Sequence, residues 1–102
     1  MAKYLLTRAA QIDIEGIAYY IGTDYPTAAR RVAQSIYDTC ELLTRTPKIG
    51  FPSRYTDDPA LRMKTVKRYP RYLLLYRQND GGDVEILRVV HGSRDLLALF
   101  NQ

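Results

Sequence analysis

A histidine and two arginines near the end of the chain are the residues best suited to acid–base chemistry. His91 is the only histidine, and Arg88 and Arg94 lie three residues to either side of it. Histidine can donate or accept a proton near neutral pH, and arginine can stabilise charge that builds on a phosphate. The group predicts an RNA-cleaving site. In the alternative interpretation His91 bonds to the backbone, and the arginines form an internal ion pair with Asp95.

A run of basic residues supplies the second candidate for function. Residues 1–44 have a net charge of −1 and residues 45–102 a net charge of +5. A basic patch without acidic residues is typical of a surface that faces nucleic acid or an acidic protein, although a solvated strand face is the alternative. Tyrosines 69, 72 and 76 can stack bases or simply fill half-buried strand positions. The run contains Arg62, Lys64, Lys67, Arg68, Arg71 and Arg77.

Length and composition exclude several classes of protein. With 102 residues and 11.7 kDa, we expect one domain, residues 1–102. The sequence has no phosphate-binding glycine loop, no run long enough to cross a membrane and no signal peptide, so we expect a cytoplasmic protein. A single cysteine and a single histidine argue against a disulfide and against a metal site. Cys40 lies on an apolar helix stripe, which predicts a core position.

Two amphipathic helices are predicted in the first half of the chain. Thr7 is suited to cap the first helix, which ends at Gly22, and Pro26 begins the second, which ends before Pro47. The apolar stripes follow a period of 3.6 residues, as expected for two helices that bury one face each. The stripes are Ala10, Ile14, Ile17, Ala18 and Ile21 in the first helix, and Ala29, Val32, Ala33, Ile36, Cys40 and Leu43 in the second.

Strand patterns dominate the rest of the sequence. Short strands are predicted at residues 4–6, 62–66, 71–77 and 84–90, with a hairpin turn at 79–82. Residues 47–61 contain three prolines and no periodicity, which predicts a long surface loop. Ser93 is suited to cap a short helix over residues 94–100. The elements predict an α+β fold with the helical hairpin on one face of a small, mainly antiparallel four-stranded sheet, and basic residues on its open face.

In this order the motifs resemble the RelE/ParE superfamily of type II toxin–antitoxin toxins, and specifically its ParE branch. Residues 10–21 resemble the family's first helix, residues 43–50 its exit from the second helix, and residues 61–62 and 72–76 its central strands. The most specific piece is the ending ILRVVHGSRD, residues 86–95. The resemblance covers nearly the whole chain and implies the RelE/ParE-like fold.

The resemblance implies a bacterial toxin that a cognate ParD-like antitoxin neutralises. In this family the antitoxin wraps the toxin and binds operator DNA, so the toxin reaches operator DNA only through it. ParE-like toxins inhibit DNA gyrase and trap its cleaved DNA complexes, which makes gyrase, through its DNA-cleaving subunit, the implied target. RelE-like toxins instead cut mRNA on the ribosome. Neither branch implies a cofactor or a membrane.

Individual positions favour the ParE branch. RelE-like nucleases have a basic pair on the second strand, which Arg62 and Lys64 match. They also tend to have an arginine where this chain has Leu73, and a tyrosine or histidine where it has Phe100. Leucine cannot stabilise charge and phenylalanine cannot transfer a proton. We therefore expect a gyrase inhibitor that is not an enzyme. The alternative is an mRNA endonuclease with the site Arg62, Lys64, Arg88, His91 and Arg94.

Two binding surfaces follow from the ParE interpretation. The basic sheet face and the terminal segment are expected to contact gyrase or its DNA. The antitoxin is expected to cover apolar surface along the helical hairpin and the sheet edge, with Arg30 and Arg31 pairing with its acidic residues. The residues expected to bind the target are Arg62, Lys64, Lys67, Arg68 and Arg94.

Overall fold

The computed structural model describes residues 2–53, 57–92 and 95. It contains two helices and five strands, and its α+β architecture confirms the predicted class. The helix predicted over residues 94–100 lies outside the described residues. In chain order the elements are β1 (Tyr4–Leu6), α1 (Arg8–Gly22), α2 (Pro26–Arg45), β2 (Phe51–Pro52), β3 (Arg62–Val66), β4 (Tyr69–Gln78) and β5 (Val84–His91).

Local chemistry sets the ends of both helices as the sequence predicts. The Thr7 hydroxyl accepts a hydrogen bond from the Ala10 N–H at 3.1 Å and so caps α1. It also donates to the Leu87 carbonyl oxygen at 2.8 Å, which ties the start of α1 to β5. Pro26 opens α2 at a position where its missing N–H has no helical partner. The two helices pack against each other as a hairpin.

The sheet is mixed, with the strand order β1-β5-β4-β3-β2. β1 pairs with β5 in parallel, and the other three pairs are antiparallel. The expected count of four strands is wrong, because Phe51 and Pro52 pair with Met63 and Arg62 as an additional edge strand. Two residues with a proline give no alternating pattern, so the sequence could not reveal this strand. β4 lies at the centre, as its apolar composition predicts.

The main core lies between the hairpin and one face of the sheet. Cys40 is fully buried in it, which confirms the position predicted from the helix stripe. Burial raises the pKa of the Cys40 thiol to about 12. The buried residues of this core are Ala10, Ile14, Val32, Ile36, Cys40, Leu43, Val66, Leu74, Tyr76, Val84, Ile86 and Val89.

Cys40 is expected to be almost inert in the native protein. Because the thiolate is the reactive form, a pKa of about 12 reduces reaction with iodoacetamide at pH 8 by at least about 100-fold relative to the unfolded chain. Alkylation followed by mass spectrometry, with and without denaturant, checks this. Native and unfolded rates within tenfold of each other would show that the thiol is accessible.

The opposite sheet face differs from the prediction. It carries a second apolar cluster of Met63, Leu73, Leu75 and Val90, with Leu61 and Leu87 packed against it. Residues directly opposite each other on paired strands share a face. Arg62 pairs with Tyr76 and Lys64 with Leu74, and both of those partners belong to the helix-side core. The expected basic open face is therefore wrong for these two positions, because the strand register turns them to the helix side.

Candidate functional site

Lys67 and Arg68 form the tight turn between β3 and β4, and both are exposed. Val66 and Tyr69 close the turn as a cross-strand pair. The Lys67 N–H donates to the Thr39 hydroxyl at 3.1 Å, which anchors the turn on α2. Arg68 has φ of 71°, and it is the only residue other than glycine with a positive φ in the described part of the chain. The turn thus presents two cations from a fixed backbone.

The basic residues around this turn differ in exposure. Arg71 is exposed and Lys64 is half-buried. Within residues 2–53, 57–92 and 95, no ion pair involves Lys64, Lys67, Arg68 or Arg71. Arg77, at the other end of β4, instead pairs with Glu85 at 2.9 Å. Arg94 lies outside the described residues. The structure thus brings Lys67, Arg68 and Arg71 to one end of the β3–β4 hairpin, hereafter the basic turn.

Arg62 is held in a structural contact. Its Nη1 donates to the Gly50 carbonyl oxygen at 2.8 Å and to that of Lys48 at 3.4 Å. The buried Tyr76 hydroxyl binds the same loop, donating to the Pro47 carbonyl oxygen at 2.8 Å and accepting from the Gly50 N–H at 2.9 Å. Burial raises the pKa of Tyr76, so the hydroxyl stays protonated. Arg62 and Tyr76 together fix the loop after α2, and Tyr76 is too buried to stack a base.

Arg88 is also occupied, but its partner is Asp13 of α1. Arg88 Nε donates to Asp13 Oδ2 at 2.7 Å and Nη2 donates to Oδ1 at 3.0 Å. The Val89 N–H donates to Asp13 Oδ2 at 2.9 Å. This two-point hydrogen bond raises the pKa of Arg88. The expected internal ion pair exists, but it joins β5 to α1 rather than to Asp95. Sequence alone could not identify Asp13, which lies 75 positions away.

His91 lies at the end of β5 in contact with Tyr72. Their rings meet edge to face with centroids 5.6 Å apart. The His91 N–H donates to Asp95 Oδ2 at 3.0 Å, and the Asp95 N–H donates to the His91 carbonyl oxygen at 2.9 Å. An open groove adjoins this pair between α1 and the sheet. It is lined by Ile12, Asp13, Gly16, Ile17, Tyr20, Tyr72, Val89 and Asp95.

An exposed apolar surface on the helical hairpin has no counterpart among the candidate residues named from the sequence. On α1, Ile12 is 54% exposed, Tyr19 80% and Tyr20 71%, and Tyr25 in the interhelical turn is 68% exposed. These four residues are hereafter called the aromatic surface. The signal in the sequence is that Ile12 and Tyr19 fall opposite the buried stripe of α1, so a one-sided helix does not explain them. Arg30 and Arg31 are exposed on α2.

Metal sites and membrane spans are both absent from the part of the chain that the structure describes. Residues 2–53, 57–92 and 95 contain no cluster of three histidine, cysteine, aspartate or glutamate side chains that could hold a metal ion. No helix in the same part of the chain is long and apolar enough to span a membrane.

Comparisons with known proteins fit this architecture. A family described as the ParE toxin of the type II toxin–antitoxin system parDE matches residues 4–96. A chromosomal ParDE system from P. aeruginosa has a similar structure, with a TM-score of 0.72, 24% identity, and coverage of 89% of this chain and 96% of that chain. The complex RelBE2 from Mycobacterium tuberculosis is similar at a TM-score of 0.64 and 25% identity, covering 88% and 96%. No curated protein matches the sequence. The chain belongs to the ParE toxin family of type II toxin–antitoxin systems.

Proposed function

We propose that this toxin acts in the bacterial cytoplasm by binding DNA gyrase and trapping its cleaved DNA complex. The observation that carries the proposal is that two cations of the alternative nuclease site are already engaged. Arg62 is bonded to backbone carbonyls and Arg88 to Asp13. An arginine that stabilises a phosphate in a transition state must be free to bind that phosphate. A binding protein makes no such demand on Arg62 or Arg88.

Leu73 adds a second argument against nuclease chemistry. It stands where RelE-like nucleases tend to have an arginine, and its side chain is buried in the apolar cluster of the open sheet face. An apolar side chain in that position supplies no charge to a phosphate. The cations that stay available in the described part of the chain are those of the basic turn. The proposal therefore places the target contact at Lys67, Arg68 and Arg71, with Lys64 beside them and Arg94 in the terminal segment.

The aromatic surface is the proposed docking site of a ParD-like antitoxin. Interfaces take most of their binding energy from a few large anchors, among which tyrosine is enriched, and Tyr19, Tyr20 and Tyr25 supply three. Arg30 and Arg31 on the neighbouring helix are proposed to pair with acidic residues of the antitoxin. This placement leaves the basic turn for the target.

Replacing Tyr19 with serine is expected to weaken antitoxin binding at least about 10-fold, since it removes a central aromatic anchor. Growth inhibition by the free toxin should be unchanged. The measurement is titration of the purified toxin with its co-expressed antitoxin. Ile49→Ser is the matched control, because Ile49 is 50% exposed but lies in the loop after α2. Equal antitoxin affinity for Tyr19→Ser and the unmodified toxin would exclude the aromatic surface.

One observation favours the alternative, a ribosome-dependent mRNA endonuclease. His91 is half-buried beside Tyr72 at the mouth of a groove, so an imidazole and a phenol meet there. The structural similarity to RelBE2 extends over most of the chain. Replacing His91 with alanine separates the two functions, because a gyrase inhibitor keeps its toxicity and a nuclease that uses this imidazole loses it.

Expression of the toxin from an inducible promoter tests the proposed function in cells. The expected result is arrested growth, induction of the DNA-damage response and intact mRNA by primer extension. Co-expression of the antitoxin should reverse all of these effects. Cleaved mRNA without DNA damage would contradict the proposal and support the endonuclease.

A further inference from the structure

We propose that the basic turn binds the phosphate backbone of duplex DNA, with Arg68 as its principal contact. The inference rests on the proposed function and deepens it, since it identifies the DNA held by gyrase, rather than the gyrase protein, as what Lys67, Arg68 and Arg71 contact. Three observations carry it: the backbone conformation of Arg68, the anchoring of the turn, and the absence of apolar anchors around it in the described part of the chain.

Arg68 occupies a backbone conformation that costs free energy. At φ of 71° the Cβ of any residue other than glycine is crowded, and turns with this geometry usually contain glycine or asparagine. The Arg68 side chain is exposed and has no ion pair within the described part of the chain. No contact described for this fold therefore rewards an arginine here. Strained residues persist where they serve a function, and an exposed cation points to an anionic ligand.

The turn is rigid enough to present its charges in one arrangement. The Thr39 hydroxyl accepts from the Lys67 N–H at 3.1 Å and donates to the Ser35 carbonyl oxygen at 2.7 Å. Thr39 is 1% exposed, so this contact is fixed in the core. Arg71 follows Arg68 at about 10 Å along β4, a distance over which duplex DNA presents several phosphates. A preorganised set of cations loses little entropy on binding.

The surroundings favour nucleic acid over an acidic protein. Stable protein interfaces need buried apolar anchors, and the large exposed apolar residues of the described chain all lie between positions 5 and 51. The basic turn contains none. The nearest acidic residues, Asp38 and Glu41 of α2, share a depression with Lys67 but form no ion pair with it in the described part of the chain. Their proximity weakens Lys67 as a contact and makes Arg68 the stronger one.

Fluorescence anisotropy of a labelled 20-base-pair duplex, titrated with the full-length toxin without gyrase, tests the proposal. Three phosphate contacts predict a log–log salt slope of about −2.7, or about 40-fold weaker binding at 200 mM than at 50 mM salt. Arg68→Gly removes one contact, so binding at 50 mM should fall about 10-fold and the slope should change by about one. The same variant should unfold about 2–4 °C higher, because glycine relieves the strain at this turn.

Arg30→Ala is the matched control, because it also removes an exposed arginine that has no ion pair in the described chain, but this one lies on α2. It should leave the DNA affinity within twofold of the unmodified toxin. The proposal is overturned if the unmodified toxin fails to bind the duplex at 50 mM salt, or if Arg68→Gly and Arg30→Ala weaken binding equally. It is also overturned if a glutamate-rich peptide competes as well as DNA, or if single-stranded RNA binds tenfold more tightly.

Inhibition of purified gyrase by the same preparations separates this proposal from the proposed function. Gyrase inhibition by a toxin that does not bind DNA overturns the DNA contact and leaves the gyrase target standing. Duplex binding with the expected salt slope and no gyrase inhibition overturns the gyrase target and leaves the phosphate contact standing. Loss of both activities in Arg68→Gly, in a protein that unfolds at a higher temperature, supports both.

Discussion

Replacing Asp13 with alanine is expected to lower the free energy of unfolding by about 2–3 kcal/mol, or the unfolding midpoint by about 10–15 °C. The Asp13 carboxylate accepts two hydrogen bonds from Arg88 and one from the Val89 N–H, and it alone joins α1 to β5 by an ion pair in the described chain. Removal leaves the guanidinium and the amide without their acceptor. The effect stays below that of a fully buried pair because Arg88 is 36% exposed and can turn to water.

A double-mutant cycle isolates the contact between Asp13 and Arg88. Asp13→Ala, Arg88→Ala and the double variant are unfolded in urea, and a coupling of about 1–2 kcal/mol is expected. Asp13→Asn keeps an oxygen for the Val89 N–H and should cost less than alanine. Additive effects in the cycle would mean that the ion pair adds nothing beyond its separate side chains, and Arg88 would then be available for a phosphate.

Replacing Gly50 with alanine is expected to destabilise the fold by about 2–3 kcal/mol. A Cβ at Gly50 would collide with the Tyr76 hydroxyl and would lie 2.6 Å from the Met63 carbonyl oxygen. The Met63 oxygen belongs to the backbone of β3, so it cannot move aside cheaply. The collision also displaces the Gly50 N–H from the Tyr76 hydroxyl and the Gly50 carbonyl from Arg62. Urea unfolding of the purified variant gives the loss directly.

Gly81→Ala is the matched control for this effect, since the nearest atom to a Cβ at Gly81 is the Asn79 Oδ1 at 3.5 Å, an ordinary contact. Tyr76→Phe should cost about 1–3 kcal/mol, because it leaves the buried Gly50 N–H and the Pro47 carbonyl without partners. Equal stability of Gly50→Ala and Gly81→Ala would contradict the role assigned to this loop.

Local patterns predicted most of the fold. Thr7, Gly22 and Pro26 mark helix ends through their own backbone preferences, and the apolar spacing identifies the buried faces, including that of Cys40. These features depend on neighbours in sequence, which a single chain displays. The family resemblance, carried by residues 86–95 above all, then identified the toxin class that the family match confirms.

Register and distant contacts account for what the sequence missed. The direction of Arg62 and Lys64 depends on which residues of β4 lie opposite them, and no pattern within β3 specifies that pairing. Likewise Asp13 resembles any exposed helix residue until β5 brings Arg88 to it. The left-handed conformation of Arg68 gives no signal either, because the sequence shows no glycine or asparagine at that turn.

Supercoiling of relaxed plasmid by purified gyrase and ATP, with increasing amounts of the toxin, tests the proposed gyrase target most directly. We expect that supercoiling stops and that linear DNA accumulates after the gyrase is digested with protease. Adding the antitoxin first should prevent both effects. Full supercoiling in the presence of a folded toxin that still arrests cell growth would contradict gyrase as the target and make mRNA cleavage the function to pursue.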